Sequence, residues 1–290
     1  MAARTTRQKR RPRAPIEATG GAELRIGRQR ILTGDCADAL ASLAPASVDL
    51  VVTSPPYNIG IAYRTYRDDR PREQYLGWFA AIGASIARVL KPDGSFFLNV
   101  GSTSADPWIA LDVAQTLRAR FRLQNHIQWV KSVSIGEDSL GHFKPISSRR
   151  FLNHNHEAIF HFTRTGAVPI DRLAIGVPFK DKSNIARWGH ARDRRCAGNV
   201  WFIPYRTVQS RAEKFDHPAG FPVELAERCI RLHGVKDALV LDPFLGAGST
   251  LVAAARLGCR GIGIEIDPQY ARTAAERLKN GIPARNRAKI

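Results

Sequence analysis

An α/β fold, a mixed sheet with helices on both faces, is predicted by three stretches of this chain. Val48-Asp49-Leu50-Val51-Val52 is an apolar, β-branched run suited to a buried strand. It stops at Thr53-Ser54-Pro55-Pro56-Tyr57-Asn58, where two prolines forbid both further sheet pairing and an immediate helix. Leu239-Val240-Leu241 is a second such run, ending in Asp242 and followed by a loop carrying Gly246 and Gly248 and by the helical stretch Leu251 to Leu257. Gly261-Ile262-Gly263-Ile264 is a third, ending at Glu265 about 20 residues after the loop, where an acid reaches a ribose hydroxyl. Open α/β sheets bind ligands beyond the carboxyl ends of their strands, so the Pro-Pro turn and the glycine loop are the places to look for a site. No Lys precedes Ser249-Thr250, which excludes a phosphate-binding P-loop.

The chain of 290 residues is long enough for one α/β domain with an insertion. Its net charge of +18 favours a polyanionic partner, unless the charge reflects only an Arg-rich composition. Cys36, Cys196, Cys229 and Cys259 show no paired spacing, so neither a disulfide framework nor a zinc site is indicated. The start is polar and basic, and no apolar run approaches membrane-spanning length; a soluble cytoplasmic protein, with no membrane partner, is expected.

In chain order, residues 1 to 20 lack hydrophobic periodicity and include Lys9-Arg10-Arg11-Pro12-Arg13; they read as a disordered basic arm. Ile31 to Cys36 reads as a short strand ending in Asp35, before a helix over Ala37 to Leu43 that Asp35 or Asp38 would cap. Ile59 to Arg72 mixes Tyr63 and Tyr66 with Arg64, Arg67 and Arg70, the composition of a flap over single-stranded nucleic acid or of an ordinary surface loop. Leu76, Phe79, Ile82, Ile86 and Val89 recur at helical spacing within Glu73 to Leu90. Lys91-Pro92-Asp93-Gly94 reads as a turn and Ser95 to Val100 as a strand. Asp106 to Arg120 reads as a helix and Leu123 to Val130 as a strand, leading into a loop over 132–150 with Lys144, Arg149 and Arg150.

His156 and His161 lie five apart in a run that alternates like a core strand, not at metal-ligand spacing. Residues 165 to 212 break the strand–helix rhythm. They interleave Arg and Lys with Phe179, Trp188, Trp201, Phe202 and Tyr205, which suits base recognition or a basic insertion with a small aromatic core. His217-Pro218-Ala219-Gly220-Phe221-Pro222 opens a helix over Val223 to Leu232.

Ser54-Pro55-Pro56-Tyr57, taken with Asp242-Pro243-Phe244-x-Gly246-x-Gly248-Ser249-Thr250, resembles the S-adenosylmethionine-dependent DNA amino-methyltransferases, which methylate N4 of cytosine or N6 of adenine. The catalytic motif comes before the cofactor motif, the permuted order of the β group, and the likeness runs over roughly residues 30 to 280. It implies a Rossmann-like class I methyltransferase fold. The division it implies is a catalytic half over 21–164, a target-recognition region over 165–212, a cofactor half over 213–282 and a tail over 283–290. Ser54, Pro55, Pro56 and Tyr57 are its catalytic residues. Thr53, Asp242, Pro243, Phe244, Gly246, Gly248, Ser249, Thr250, Glu265 and Ile266 fall at cofactor positions. Asp35 and Cys36 belong to a Gly-Asp element that meets the cofactor's adenine, and His217, Pro218 and Phe221 to an element at its methionine end. Double-stranded DNA is the implied partner, and the resemblance leaves room for a homodimer, a cognate restriction endonuclease and a bacterial, nucleoid-associated setting.

An exocyclic base amine is a poor nucleophile because its lone pair is delocalised into the ring. Hydrogen bonds from its N–H groups to Ser54 and the Pro55 carbonyl would favour a pyramidal nitrogen, while the sulfonium supplies the leaving group. The amine lies inside the duplex, so the base must be flipped out, with Tyr57 as its stacking face. None of the four cysteines follows a proline, which excludes the C5-cytosine class with its Pro-Cys nucleophile. Ser at position 54 points to cytosine, since adenine-N6 relatives usually carry Asp or Asn there; adenine-N6 is the alternative. RNA and protein-glutamine methyltransferases with a similar turn place their cofactor motif first. A non-catalytic DNA-binding module would require a damaged motif.

Overall fold

The computed structural model describes residues 22–141, 146–187, 193–204 and 220–281. The chain opens with a hairpin, β1 (Glu23–Ile26) and β2 (Gln29–Thr33), followed by α1 (Cys36–Ser42) and β3 (Val48–Thr53). Then come α2 (Arg72–Val89), β4 (Leu90–Val100), α3 (Ile109–Thr116) and β5 (Arg122–Val130). A separate hairpin, β6 (Ser132–Ile135) and β7 (Asp138–Gly141), precedes β8 (His156–Thr163), α4 (Ser183–Arg187) and β9 (Val200–Phe202). The chain closes with α5 (Val223–His233), β10 (Leu239–Asp242), α6 (Ser249–Arg256), β11 (Arg260–Glu265) and α7 (Pro268–Gly281).

Among the described residues the main sheet has nine strands in the order β1-β2-β11-β10-β3-β4-β8-β5-β9. From β2 to β4 every neighbouring pair is parallel; β8 runs against both β4 and β5, and β1 against β2. The chain winds outward from β3 through β4, then returns to β10 on the other side of β3 and winds through β11. The reversal falls at the β3–β10 boundary, the topological switch where such sheets bind ligands.

Alternation along the strands sorts their side chains to two faces. Val51, Phe96, Leu98 and Phe160 pack with α1, α2 and α3, whereas Leu50, Val52, Phe97 and Val240 pack with α5 and α6. Burial on both faces explains why these strands read as continuous apolar runs. In α2 the residues that go fully inside are Tyr75, Phe79, Ile82, Ile86 and Val89; Leu76 is only partly buried.

Three local expectations shift. Lys91–Gly94, expected as a turn, belongs to β4 as an irregular stretch: Val48 pairs with Leu90 and Leu50 already with Ser95, so the register shifts there. The helix expected over Asp106 to Arg120 is confined to Ile109–Thr116, with short turns on either side. Strand β1 was not anticipated; it has four residues, alternates between exposed and half-buried, pairs with β2 and packs Leu24 and Ile26 on the core beside α7. His156 and His161 lie on opposite faces of β8, and His161 is buried, stacked 4.2 Å from Phe97. The arm over 1–20 and the tail over 283–290 lie outside the described residues. No helix among the described residues is long and apolar enough to cross a membrane.

Candidate active site

The carboxyl ends of β2, β11, β10, β3 and β4 lie side by side, so the loops that leave them converge. Those after β2, β3, β10 and β11 border a cleft of about 730 Å3, measured out to its open mouth. Gly34, Asp35 and Cys36 line it after β2, Ser54 and Pro56 after β3, Pro243, Phe244 and Gly246 after β10, and Glu265 and Ile266 after β11. The Pro-Pro turn and the glycine loop, about 190 residues apart in sequence, thus share one cavity.

Asp242 does not line this cleft. It lies beneath, 1% exposed, and both carboxylate oxygens are engaged: Oδ1 accepts from Thr53 Oγ1 at 2.6 Å and from the Phe244 N–H at 3.1 Å, and Oδ2 from Thr250 Oγ1 at 2.7 Å. Burial pushes its pKa up to about 6 against the pull of these donors. The geometry makes Asp242, Thr53 and Thr250 a clasp that ties the ends of β3 and β10 to the start of α6. Ser249 is similarly turned inward, donating to the Phe221 carbonyl at 2.7 Å. That bond is where the structure places Phe221, packed with α5 rather than on the cleft.

Glu265 does face the cleft. Its carboxylate accepts from the Gly246 N–H at 2.7 Å and the Asp267 N–H at 3.0 Å, so it both shapes the glycine loop and presents negative charge. Burial raises its pKa to about 7. Gly248 caps α6 at φ +83°, with Ala274 Cβ 3.0 Å from where a Cβ would stand, so conformation and space both demand glycine. Gly263 lets Leu245 settle onto β11; a Cβ there would come within 2.6 Å of it. Asp35 serves as the N-cap of α1, accepting from the Ala37 N–H at 2.7 Å, and also borders the cleft. The neighbouring Cys36 thiol is pushed up to about 12 by burial and by Asp35, which keeps it a wall and not a nucleophile.

The Pro-Pro turn is anchored by Tyr75, whose hydroxyl donates to the Pro56 carbonyl at 2.6 Å. Pro55 is buried under it. Ser54 Oγ lies 2.7 Å from Tyr57 Oη, which in turn meets Glu157 Oε2 at 3.1 Å and Asn99 Nδ2 at 2.9 Å. Asn99 also donates to Glu157 Oε2 at 2.7 Å, and Lys131 pairs with Glu157 Oε1 at 3.0 Å. Asn99, Lys131 and Glu157 were not singled out from the sequence. The available signal was a polar residue inside each of two apolar strands, Phe96–Val100 and Ala158–Phe162 or just before it.

Residues 59–71 form a flap over the cleft. Asn58, at φ +59°, closes its base by exchanging hydrogen bonds of 2.7 and 2.8 Å with the Arg70 backbone. The buried Asp68 collects the N–H groups of Asn58, Ile59 and Ile61. Tyr63, Thr65, Tyr66 and Arg70 line the same cleft as Glu265, and Arg70 lies over both Tyr66 and Trp78. Arg64 reaches Asp267 at 3.3 Å. The segment therefore lies over the cleft between the Pro-Pro turn and the glycine loop. The Tyr66 hydroxyl is buried there without a hydrogen-bond partner among the described residues. His217 and Pro218 lie outside the described residues, as do Trp188, Tyr205 and Lys144.

Residues 48–276 match the DNA methylase family N6_N4_Mtase. The chain is 32% identical over 272 residues to the Type II methyltransferase M.BglII of Bacillus subtilis, covering 89% of this chain and 70% of that one. Its fold is similar to that of the PvuII DNA methyltransferase (cytosine-N4-specific), with a TM-score of 0.64, 22% identity, and coverage of 90% and 93%. It is also similar to TTHA0409 of Thermus thermophilus, solved in complex with S-adenosyl-L-methionine, with a TM-score of 0.60, 27% identity, and coverage of 89% and 96%.

Proposed function

This chain belongs to the N6_N4_Mtase family of DNA methylases, and we propose that it transfers a methyl group from S-adenosyl-L-methionine to N4 of a cytosine flipped out of duplex DNA. One observation carries the reading: Ser54 and Pro56 of the catalytic turn line the same cleft as Asp35, Gly246 and Glu265 of the cofactor elements. The cleft suits a cationic adenosyl cofactor. Asp35 and Glu265 supply acids, Ile266 and Phe244 apolar walls, and the Tyr66 hydroxyl is a buried polar atom in want of a partner. When bound, the cofactor supplies an electrophilic methyl group on a sulfonium.

The protein's part is positioning and electrostatics. Glu265 accepts from the ribose hydroxyls, while its grip on the Gly246 N–H holds the loop close. Ser54 and the Pro55 carbonyl would accept from the two amine N–H groups, which favours a pyramidal nitrogen with an available lone pair. Tyr57 offers its ring to the flipped base. The Asp242–Thr53–Thr250 clasp keeps the two loops in register. Residues 165–212 with the segment 132–150, which was expected as a loop and begins with the β6–β7 hairpin, choose the DNA site; Arg149, Arg150, Lys180, Lys182, Arg187, Arg194 and Arg195 are exposed there. The Type II name of M.BglII supports a restriction–modification setting with a cognate endonuclease.

The test is transfer of tritiated methyl to purified DNA, followed by digestion to nucleosides and mass spectrometry. N4-methylcytosine is expected. N6-methyladenine alone would overturn the cytosine assignment, and no transfer would overturn the enzymatic reading.

A further inference from the structure

We infer that Glu157 is a positioning residue that sets the direction of the hydrogen-bond chain ending at Ser54, so that Ser54 meets the substrate amine as an acceptor; this rests on the reading of Ser54 given above. A phenol has one proton and two lone pairs, and Tyr57 Oη has three neighbours: Ser54 Oγ at 2.7 Å, Asn99 Nδ2 at 2.9 Å and Glu157 Oε2 at 3.1 Å. A carboxylate only accepts and an amide nitrogen only donates. The Tyr57 proton therefore goes to Glu157, and one lone pair takes an Asn99 N–H. The remaining lone pair leaves Ser54 a single role toward Tyr57, that of donor. With its proton turned inward, Ser54 presents only lone pairs to the cleft it lines.

The other members hold this arrangement in place. Asn99 gives its second N–H to Glu157 Oε2 at 2.7 Å, and turning its amide round would set Oδ1 against the carboxylate. Lys131 Nζ at 3.0 Å occupies Oε1, so both oxygens of Glu157 act as acceptors. Gly101 leaves room for the contact, since a Cβ there would stand 3.1 Å from both Glu157 and the Tyr57 ring. Burial and the nearby Glu157 raise the Tyr57 phenol well above its ordinary value, so it keeps its proton.

The consequence is selection by group polarity. An exocyclic amine offers N–H donors and is accepted; a ring carbonyl at the same place meets lone pairs and is refused. Cytosine is thereby separated from uracil, and adenine from hypoxanthine.

Glu157→Gln tests this with nearly the same shape. Its amide can donate to Tyr57, which lets the Tyr57 proton turn to Ser54 and the Ser54 proton turn to the cleft. With the methylated site first located by modification-sensitive sequencing, turnover of Glu157→Gln should fall roughly 10- to 100-fold while cofactor affinity by calorimetry stays unchanged. Added to Ser54→Ala, it should cost nothing further, because it acts through that hydroxyl. In equilibrium binding, the wild type should prefer a duplex with cytosine at the target over one with uracil, and Glu157→Gln should lose that preference. Wild-type turnover in Glu157→Gln, or losses that multiply with those of Ser54→Ala, would overturn the inference. If Glu157→Gln does not fold, Tyr57→Phe keeps the ring and cuts the chain. It should show the same loss, and full activity would overturn the inference equally. Should the product be N6-methyladenine, only the base assignment falls, and adenine against hypoxanthine decides the role of Glu157. Full activity in Ser54→Ala would remove the reading beneath both.

Discussion

Glu265 should couple cofactor binding to pH. Burial raises its pKa from an ordinary 4.5 to about 7, with the Asp267 and Gly246 N–H groups pulling the other way. A cationic cofactor favours the carboxylate. Binding below neutrality must therefore expel a proton, and at pH 6 only about a tenth of the sites hold the ionised form. Affinity should weaken about tenfold per pH unit below 7 and level off above it. Calorimetry from pH 5.5 to 8.5, in buffers of different ionisation enthalpy, reads both the slope and the proton released. Glu265→Gln should weaken binding and abolish both. The stability of the free protein gives an independent check. Because the folded-state pKa is raised, the folded state holds more protons between pH 4.5 and 7, so this group's contribution falls as pH rises through that window. The upper bound, for a pKa moved from 4.5 to about 7, is about 3 kcal/mol. Glu265→Gln leaves a backbone N–H unpaired at every pH, a fixed cost of about 1–3 kcal/mol. The difference in stability between variant and wild type should still climb by up to about 3 kcal/mol from pH 4 to pH 8. A pH-independent affinity with no proton release would refute the assignment of Glu265 to the cofactor.

Ser54→Ala and Tyr57→Ala should each cut turnover, by roughly 100-fold or more for Ser54, with cofactor affinity little changed in calorimetry. Exchanging residues 165–212 for those of a relative with another specificity should move the methylated sequence, read by modification-sensitive sequencing; an unmoved site would place recognition elsewhere. Single Arg→Ala changes there should cost about 1–3 kcal/mol of discrimination where the Arg reads a guanine, and should weaken all sequences alike where it contacts phosphate. Burial depresses the pKa of His161 from 6.5 to about 3, with His233 adding to the effect. The folded state refuses a proton that the unfolded state accepts below pH 6.5, so stability is lost as pH falls from there toward 3. His161→Asn should therefore gain on the wild type by about 1.4 kcal/mol per pH unit below 6.5 in urea unfolding, and a constant difference would refute it.

The parts of the fold legible in the sequence are those whose cause is local. Val48–Thr53 is buried on both faces, and a continuous β-branched run is the direct trace of that burial. The glycines at 246 and 248 mark a loop whose conformation only glycine takes without strain, at φ +50° and +83°. What could not be read depends on partners distant in sequence. Asp242 looks like a ligand-binding acid because it ends a strand at a glycine loop, but Thr53, 189 residues earlier, takes its oxygen. Glu157 looks like one polar residue in a core strand until Tyr57, 100 residues away, is set beside it. The flap depends on distance in the same way: its tyrosines and arginines fit nucleic acid or an ordinary surface loop by composition, and only the hold of Asp68 and Asn58 on its base shows how it is anchored.

Charge is divided within this molecule in a way net charge conceals, and the division can be measured. A chain of +18 would repel a cation at long range, but the cleft proposed for the cofactor is bordered by Asp35 and Glu265, with Asp242 and Asp267 just behind. Glu265 is 8% exposed, so its field acts across protein rather than through salt water. Arg149, Lys180, Arg187 and Arg195, by contrast, are exposed to solvent. Mobile ions screen exposed charges beyond about 10 Å at 0.1 M and compete directly for phosphates, whereas a buried carboxylate is screened far less. Raising salt from about 0.05 to 0.2 M should therefore weaken DNA binding by orders of magnitude if six or more phosphates are contacted, while cofactor affinity changes by less than about threefold. Fluorescence anisotropy with labelled duplex and calorimetry with the cofactor measure the two separately. Equal salt slopes would mean that the acids at the cleft act through solvent, and would take from Glu265 the buried, charge-selective role assigned to it.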